Sequence, residues 1–207
     1  MRKFFGSAAV LALALAAMTL SLPALAQDNK PMPEKAEKAE QKDMMKKEEM
    51  KPTGVKGSIL FQIDQAREKL LSLAEAMPAE KYGWRPGQGV RSVGEVFAHV
   101  SAANYFLPTF WGAKMPDGVD PRAFEKDGGD KAKTIDTLKK SFDFLKQQIA
   151  AVPDADLDRK IKLFGQDATV RDDMMVLVTH GHEHLGQSIA YARMNSVTPP
   201  WSAQPGQ

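Results

Sequence analysis

An all-α fold, a four-helix bundle, is what the sequence predicts, on three observations. Four segments repeat apolar side chains at helical spacing. Links rich in Pro, Gly and Asp separate them, namely "YGWRPGQGVR", "WGAKMPDGVDPRAFEKDGGD" and "PDADLDRKIKLFGQDAT". Strand signals are confined to a short hairpin around Lys160 to Phe164, and no internal repeat marks a solenoid. Residues 53–207, roughly 155 in number, suffice for one domain with a sizeable core.

The first helix is expected over 55–76, with Ile59, Leu60, Ile63, Ala66, Leu70, Leu73 and Ala74 on one face and Pro78 beyond its end. The second, over 92–107, starts at Ser92, which with Glu95 matches a capping box, and continues through Val93, Val96, Phe97, Val100 and Leu107. The third, over 131–151, carries Ile135, Leu138, Phe142, Leu145 and Ile149. The fourth, over 170–194, carries Val170, Met174, Leu177, Val178, Leu185 and Ile189 and ends before "TPP". The link after the second helix is long enough for a crossover or a lid.

Residues 1–26 read as a cleaved secretory signal: Arg2 and Lys3, an apolar run from Ala8 to Leu20, then "LPALAQ" with small residues at Ala24 and Ala26. The run is short for a bilayer span and no basic cluster follows it, so no stable membrane anchor is expected and the mature protein is placed in the periplasm. Residues 27–52 hold seven lysines against seven acids and almost no large apolar side chain apart from methionine, the composition of a disordered tether. Met32, Met44, Met45 and Met50 are irregularly spaced and lack histidine neighbours, which argues against a soft-metal tract.

The chain has no cysteine, which excludes disulfides, thiolate ligands and a cysteine nucleophile. Loss of Arg2 and Lys3 with the signal leaves 26 of the 28 basic side chains, equal to the 26 acidic ones. That balance gives no electrostatic case for nucleic acid. A homodimer is left open.

Three of the four histidines lie in "THGHEHLGQ". At about 100° per residue, His180 and His184 share a helix face within about 40°, whereas His182 points about 160° to 200° away. His180 and His184 fall on the inward stripe with Asp173, Gln187 and Tyr191. An i, i+4 imidazole pair can converge on one cation, but the adjacent Glu of the zinc-protease motif is absent and a third ligand is needed. The remaining histidine, His99, sits at the edge of the apolar face of the second helix, within reach across a bundle. Each has an ordinary alternative: His99 as a hydrogen-bonded core residue, the pair as half-exposed side chains, His182 as a surface residue.

"YGWRPGQGVRSVGEVFAHVSAANYF" and "HGHEHLGQSIAYARMNSVTPP" together resemble the DinB/YfiT-like family. The specific features are the W-R-P turn, S-x-x-E-x-x-x-H in the second helix and H-x-x-x-H-x-G-Q-x-x-x-Y-x-R before P-P. The resemblance implies a four-helix bundle with a divalent metal held by His99, His180 and His184. Zinc or nickel suits three imidazoles better than magnesium or calcium. Relatives that use low-molecular-weight thiols are cytoplasmic, so the export signal sets this chain apart from them.

Two functional classes follow. One is a metal-dependent transferase or hydrolase acting on a small molecule, with Glu95 and Asp173 as the candidate catalytic carboxylates and Gln187 and Tyr191 supporting the ligands. Trp84, Phe106 and Trp111 are candidates for an apolar pocket, their ordinary alternative being core and loop packing. Arg85, Arg91 and Arg193 read as surface charges. The other class is a non-catalytic metal- or ligand-binding module, in which a structural metal site would need a fourth protein ligand. A domain that keeps its fold without metal, its histidines serving only in packing, is the third alternative.

Overall fold

The computed structural model describes residues 54–202 and is mostly helical there. Four α-helices, α1 (Gly54–Ala76), α2 (Val93–Phe106), α3 (Lys131–Ala151) and α4 (Val170–Met194), lie within one residue of the expected limits at every end. The proposed signal and the whole of the tether lie outside the described residues. No helix among those described is long and apolar enough to cross a membrane.

Local chemistry sets the helix starts. Ser92 Oγ accepts from the Glu95 amide while the Glu95 carboxylate accepts from the Ser92 amide, the capping box that the spacing predicts. Thr169 and Asp172 form a second box at α4, and Asp130 caps α3. One apolar cluster draws Leu70 and Leu73 from α1, Val96 and Phe97 from α2, Leu138 and Phe142 from α3, and Met174 and Leu177 from α4. Each such fully buried side chain contributes about 1.5–3 kcal/mol relative to exposure. Within it, Asn104 donates to Ser141 across α2 and α3 at 3.1 Å.

α1 packs on α4 and α3, and α2 packs on the same two helices, whereas α1 and α2 meet only sparsely. The first link therefore carries the chain diagonally across the core. The long second link does not pass over the core; its 3-10 turn Pro121–Asp127 lies along α2. Close contact there depends on two glycines. A Cβ on Gly94 would stand 1.6 Å from the Gly128 carbonyl oxygen, and one on Gly128 would stand 2.7 Å from the Glu95 amide.

The expected hairpin is present as antiparallel strands β1 (Lys160–Leu163) and β2 (Gln166–Thr169), with Leu163 opposite Gln166. Its two-residue turn is Phe164–Gly165, with φ of 49° and 84°. Positive φ at both positions suits the strand twist but is ordinarily supplied by Asn, Asp or Gly. Holding a phenylalanine there costs roughly 1–3 kcal/mol.

Candidate metal centre

α4 presents His180 and His184 one turn apart on its inward side, and α2 brings His99 against them. One ligand nitrogen from each of the three rings lies within 4.8 Å of the others. The ring centroids are 5.0 Å (His99 to His180), 4.9 Å (His99 to His184) and 4.4 Å (His180 to His184) apart. His182 stays outside the cluster, as helical phase requires, but it is not a surface residue. It is half-buried and its Nε2 is enclosed without a hydrogen-bond partner. α4 is covered by α1 as well as α2, so little of its circumference is left to solvent.

The outer nitrogens of His99 and His184 are occupied, and that fixes their inner ones. His99 Nδ1 lies 2.9 Å from Glu125 Oε1, and because a carboxylate only accepts, Nδ1 carries the proton. His184 Nδ1 lies 2.8 Å from Gln187 Oε1, while Gln187 Nε2 donates to Tyr191 Oη at 3.0 Å. Tyr191 is in turn set edge-on against Trp84, centroids 5.5 Å apart. Both imidazoles are thereby held in the tautomer whose Nε2 lone pair is free. His99 Nε2 and His180 Nε2 face each other at 3.2 Å. For comparison, a tetrahedral cation with bonds of about 2.0–2.1 Å separates its nitrogen ligands by about 3.3 Å. The donor set and its tautomers fit a divalent ion.

Electrostatics agree. Burial, reinforced by His184, His99 and Arg91, brings the pKa of His180 down to about 3, so its ring is neutral. Burial and Arg91 likewise lower that of His99, against the opposing pull of Glu125. Glu125 itself is pushed up by burial but held below the usual carboxylate range by hydrogen bonds from Arg91 and His99. It is charged and in place.

Glu125 and Arg91 carry more than the sequence suggests. Arg91, which reads as a surface charge, bonds Glu125 at 3.1 Å and so supports His99 indirectly. The motif spacing does not reveal Glu125, which lies in the long link. The signal that could have found it is "DPRAFEKD", with Asp120 capping and Pro121 opening a helical turn. Of the two candidate carboxylates, Glu95 is one turn before His99 but already bonds the Ser92 amide and Arg85, at 2.8 Å each. Burial raises its pKa and these partners lower it further, leaving it ionised. Asp173 is fully buried, neither oxygen has a partner, and burial pushes its pKa up to about 7. It lies outside the histidine cluster and does not line the cleft there.

Two clefts adjoin the histidines. One, of about 490 Å³, has His99 and His180 in its lining with Phe106, Phe164, Val176 and Arg122. The other, of about 700 Å³, has no histidine in its lining and is bordered by the charged and polar side chains of Arg85, Arg91, Glu95, Lys126 and Gln187. Glu125 lines both. Of the aromatic candidates, Phe106 reaches the first cleft, whereas Trp111 is buried in the core, with its carbonyl bonded by Arg159.

A sequence profile of the DinB superfamily matches residues 62–188. No functionally curated protein matches the chain. Among solved structures, a DinB-like protein from Bacillus cereus superposes with a TM-score of 0.58 at 18% identity, covering 69% of this chain and 93% of that one. A DinB-like protein from Bacillus subtilis, YjoA, gives 0.47 at 20% identity, covering 71% and 99%. The profile match spans more than half of the sequence, including all three clustered histidines, and the chain belongs to the DinB superfamily.

Proposed function

We propose that this chain is an exported four-helix bundle of the DinB type that holds a divalent cation, zinc or nickel, through His99, His180 and His184, and acts as a metal-dependent transferase or hydrolase on a small molecule. The observation that carries this reading is the tautomer control: Glu125 and Gln187 occupy the outer nitrogens of His99 and His184 and leave the Nε2 lone pairs directed inward. A packing role asks only that buried nitrogens be bonded, and His180 Nε2 facing His99 Nε2 at 3.2 Å is better satisfied by a shared cation.

A cation held there would supply Lewis-acid chemistry. The protein's part is to orient the three imidazoles, to keep them neutral and to leave coordination positions open. Openness favours an enzyme over a purely structural metal site, which needs a fourth protein ligand. Among the described residues no fourth histidine or carboxylate joins the cluster. Glu125, the nearest acid by hydrogen bonding, is committed to His99 and Arg91.

The deciding experiment is elemental analysis of protein purified without a histidine tag, beside the double variant His180→Ala, His184→Ala. About one equivalent of zinc or nickel in the native protein and none in the variant is expected; equal trace metal in both would end the metal reading. A panel of thiol-transfer and hydrolase substrates, run on metal-loaded and chelated protein, separates the enzyme from the binding module. Export is tested by the N-terminal sequence of the protein in a periplasmic fraction, expected to begin at Gln27.

A further inference from the structure

The cleft beside His99 and His180 has an aromatic wall that folding does not account for. Phe164 is 65% exposed and Phe106 44% exposed. Their rings, with that of Phe110, form one group: Phe106 to Phe110 is 5.3 Å, Phe110 to Phe164 is 5.1 Å, and Phe106 to Phe164 is 6.5 Å between centroids. Phe164 is shown to water from a turn position where its φ of 49° is unfavourable for a bulky residue. Exposure and backbone both act against phenylalanine at this position, and a polar turn former would relieve both. The polar cleft on the other side offers no comparable anomaly, because Arg85 and Arg91 already pair with Glu95 and Glu125.

We infer that the β1–β2 hairpin is the specificity element of the centre, and that the cleft takes a small molecule with an aromatic or acyl body. The rings of Phe106 and Phe164, backed by that of Phe110, hold that body, with Val176 as the aliphatic wall. The reacting polar group then lies against His99 and His180. A volume of about 490 Å³ accommodates such a ligand. This inference rests on the metal-centre reading above and adds the substrate class to it.

Two hydroxamates serve as probes, since both offer the same metal-binding group and differ only in apolar body: acetohydroxamate and 4-phenylbutyrohydroxamate. On zinc-loaded protein the phenyl compound is expected to bind roughly tenfold tighter or more. Phe164→Asn should shrink that difference to about twofold, leave acetohydroxamate affinity unchanged, and raise the melting temperature, because Asn adopts positive φ more readily. The rise in stability excludes unfolding as the cause. Equal affinity of the two probes for the native protein overturns the inference, as does a difference that survives in the Phe164→Asn, Phe106→Ser double variant.

Failure of acetohydroxamate to bind at all counts against the metal reading alone. The cleft is then probed with anilinonaphthalene sulfonate on chelated protein. Saturable one-to-one fluorescence enhancement that Phe164→Asn abolishes supports the apolar cleft, and no enhancement with native protein overturns it.

Discussion

Glu125 accepts a hydrogen bond from His99 Nδ1 at 2.9 Å, although 26 residues and a long link separate the two. Partners of this kind fix ring orientation and raise ligand basicity, and their loss lowers metal affinity about 10–100-fold. Glu125→Ala should weaken zinc binding by that order in a competitive chelator titration. Glu125→Gln, which still offers an oxygen to Nδ1, should weaken it less.

Besides its bonds to Arg91 and His99, Glu125 depends on the close backbone contact between its turn and α2. Gly94→Ala would drive a methyl into the Gly128 carbonyl, with helix backbone on one side and the Pro121–Asp127 turn on the other. A loss of about 1–3 kcal/mol in stability is expected, together with weaker zinc binding as the turn shifts away from His99. Gly129→Ala, whose added Cβ meets nothing within 4 Å, serves as the control and should leave zinc affinity unchanged. Thermal unfolding and zinc titration of both variants check the pair.

Because the proposed ligands come from both α2 and α4, a cation that binds the folded chain more tightly than the unfolded one must stabilise it. At free zinc about 100 times the dissociation constant, the gain approaches about 2.7 kcal/mol. Calorimetry should show the melting temperature rising with zinc in the native protein and flat in His180→Ala, His184→Ala.

Asp173 gives the fold a pH dependence of its own. Burial raises its folded-state pKa from the ordinary 3.8 to about 7, so the protonated form is the one that folding favours. Its contribution is fully present below about pH 4 and is lost as pH rises through 7, at a cost on the order of 2–4 kcal/mol. Asp173→Asn should therefore be more stable than the native protein at pH 8 and show no such gain at pH 4. Urea unfolding of metal-free protein at the two values tests it, and equal gains at both would rule the carboxyl out as the cause.

The four helices were legible because their apolar faces repeat at 3.6 residues, and the expected limits match the structure closely. Helical phase also separates His182 from the pair. The third histidine needed the family resemblance, because nothing local links His99 to residues some eighty positions later. Glu125 and Phe164 escaped notice, and Arg91 read as a surface charge, for the same reason: each owes its place to where a link or hairpin settles on the helices. Asp173 illustrates the converse. Its phase put it on the inward stripe, but only packing reveals that neither oxygen finds a partner.

The division of the ligands also bears on how the molecule assembles. His180 and His184 need only their own stretch of α4 to be helical in order to come together, with no other helix docked. A cation present at that stage can staple one turn of a nascent helix and reduce its nucleation cost. His99 can join only when α2 arrives. The third histidine is then the one that closes the centre, so its loss should be felt mainly as faster unfolding, while loss of the pair should also slow metal-assisted refolding.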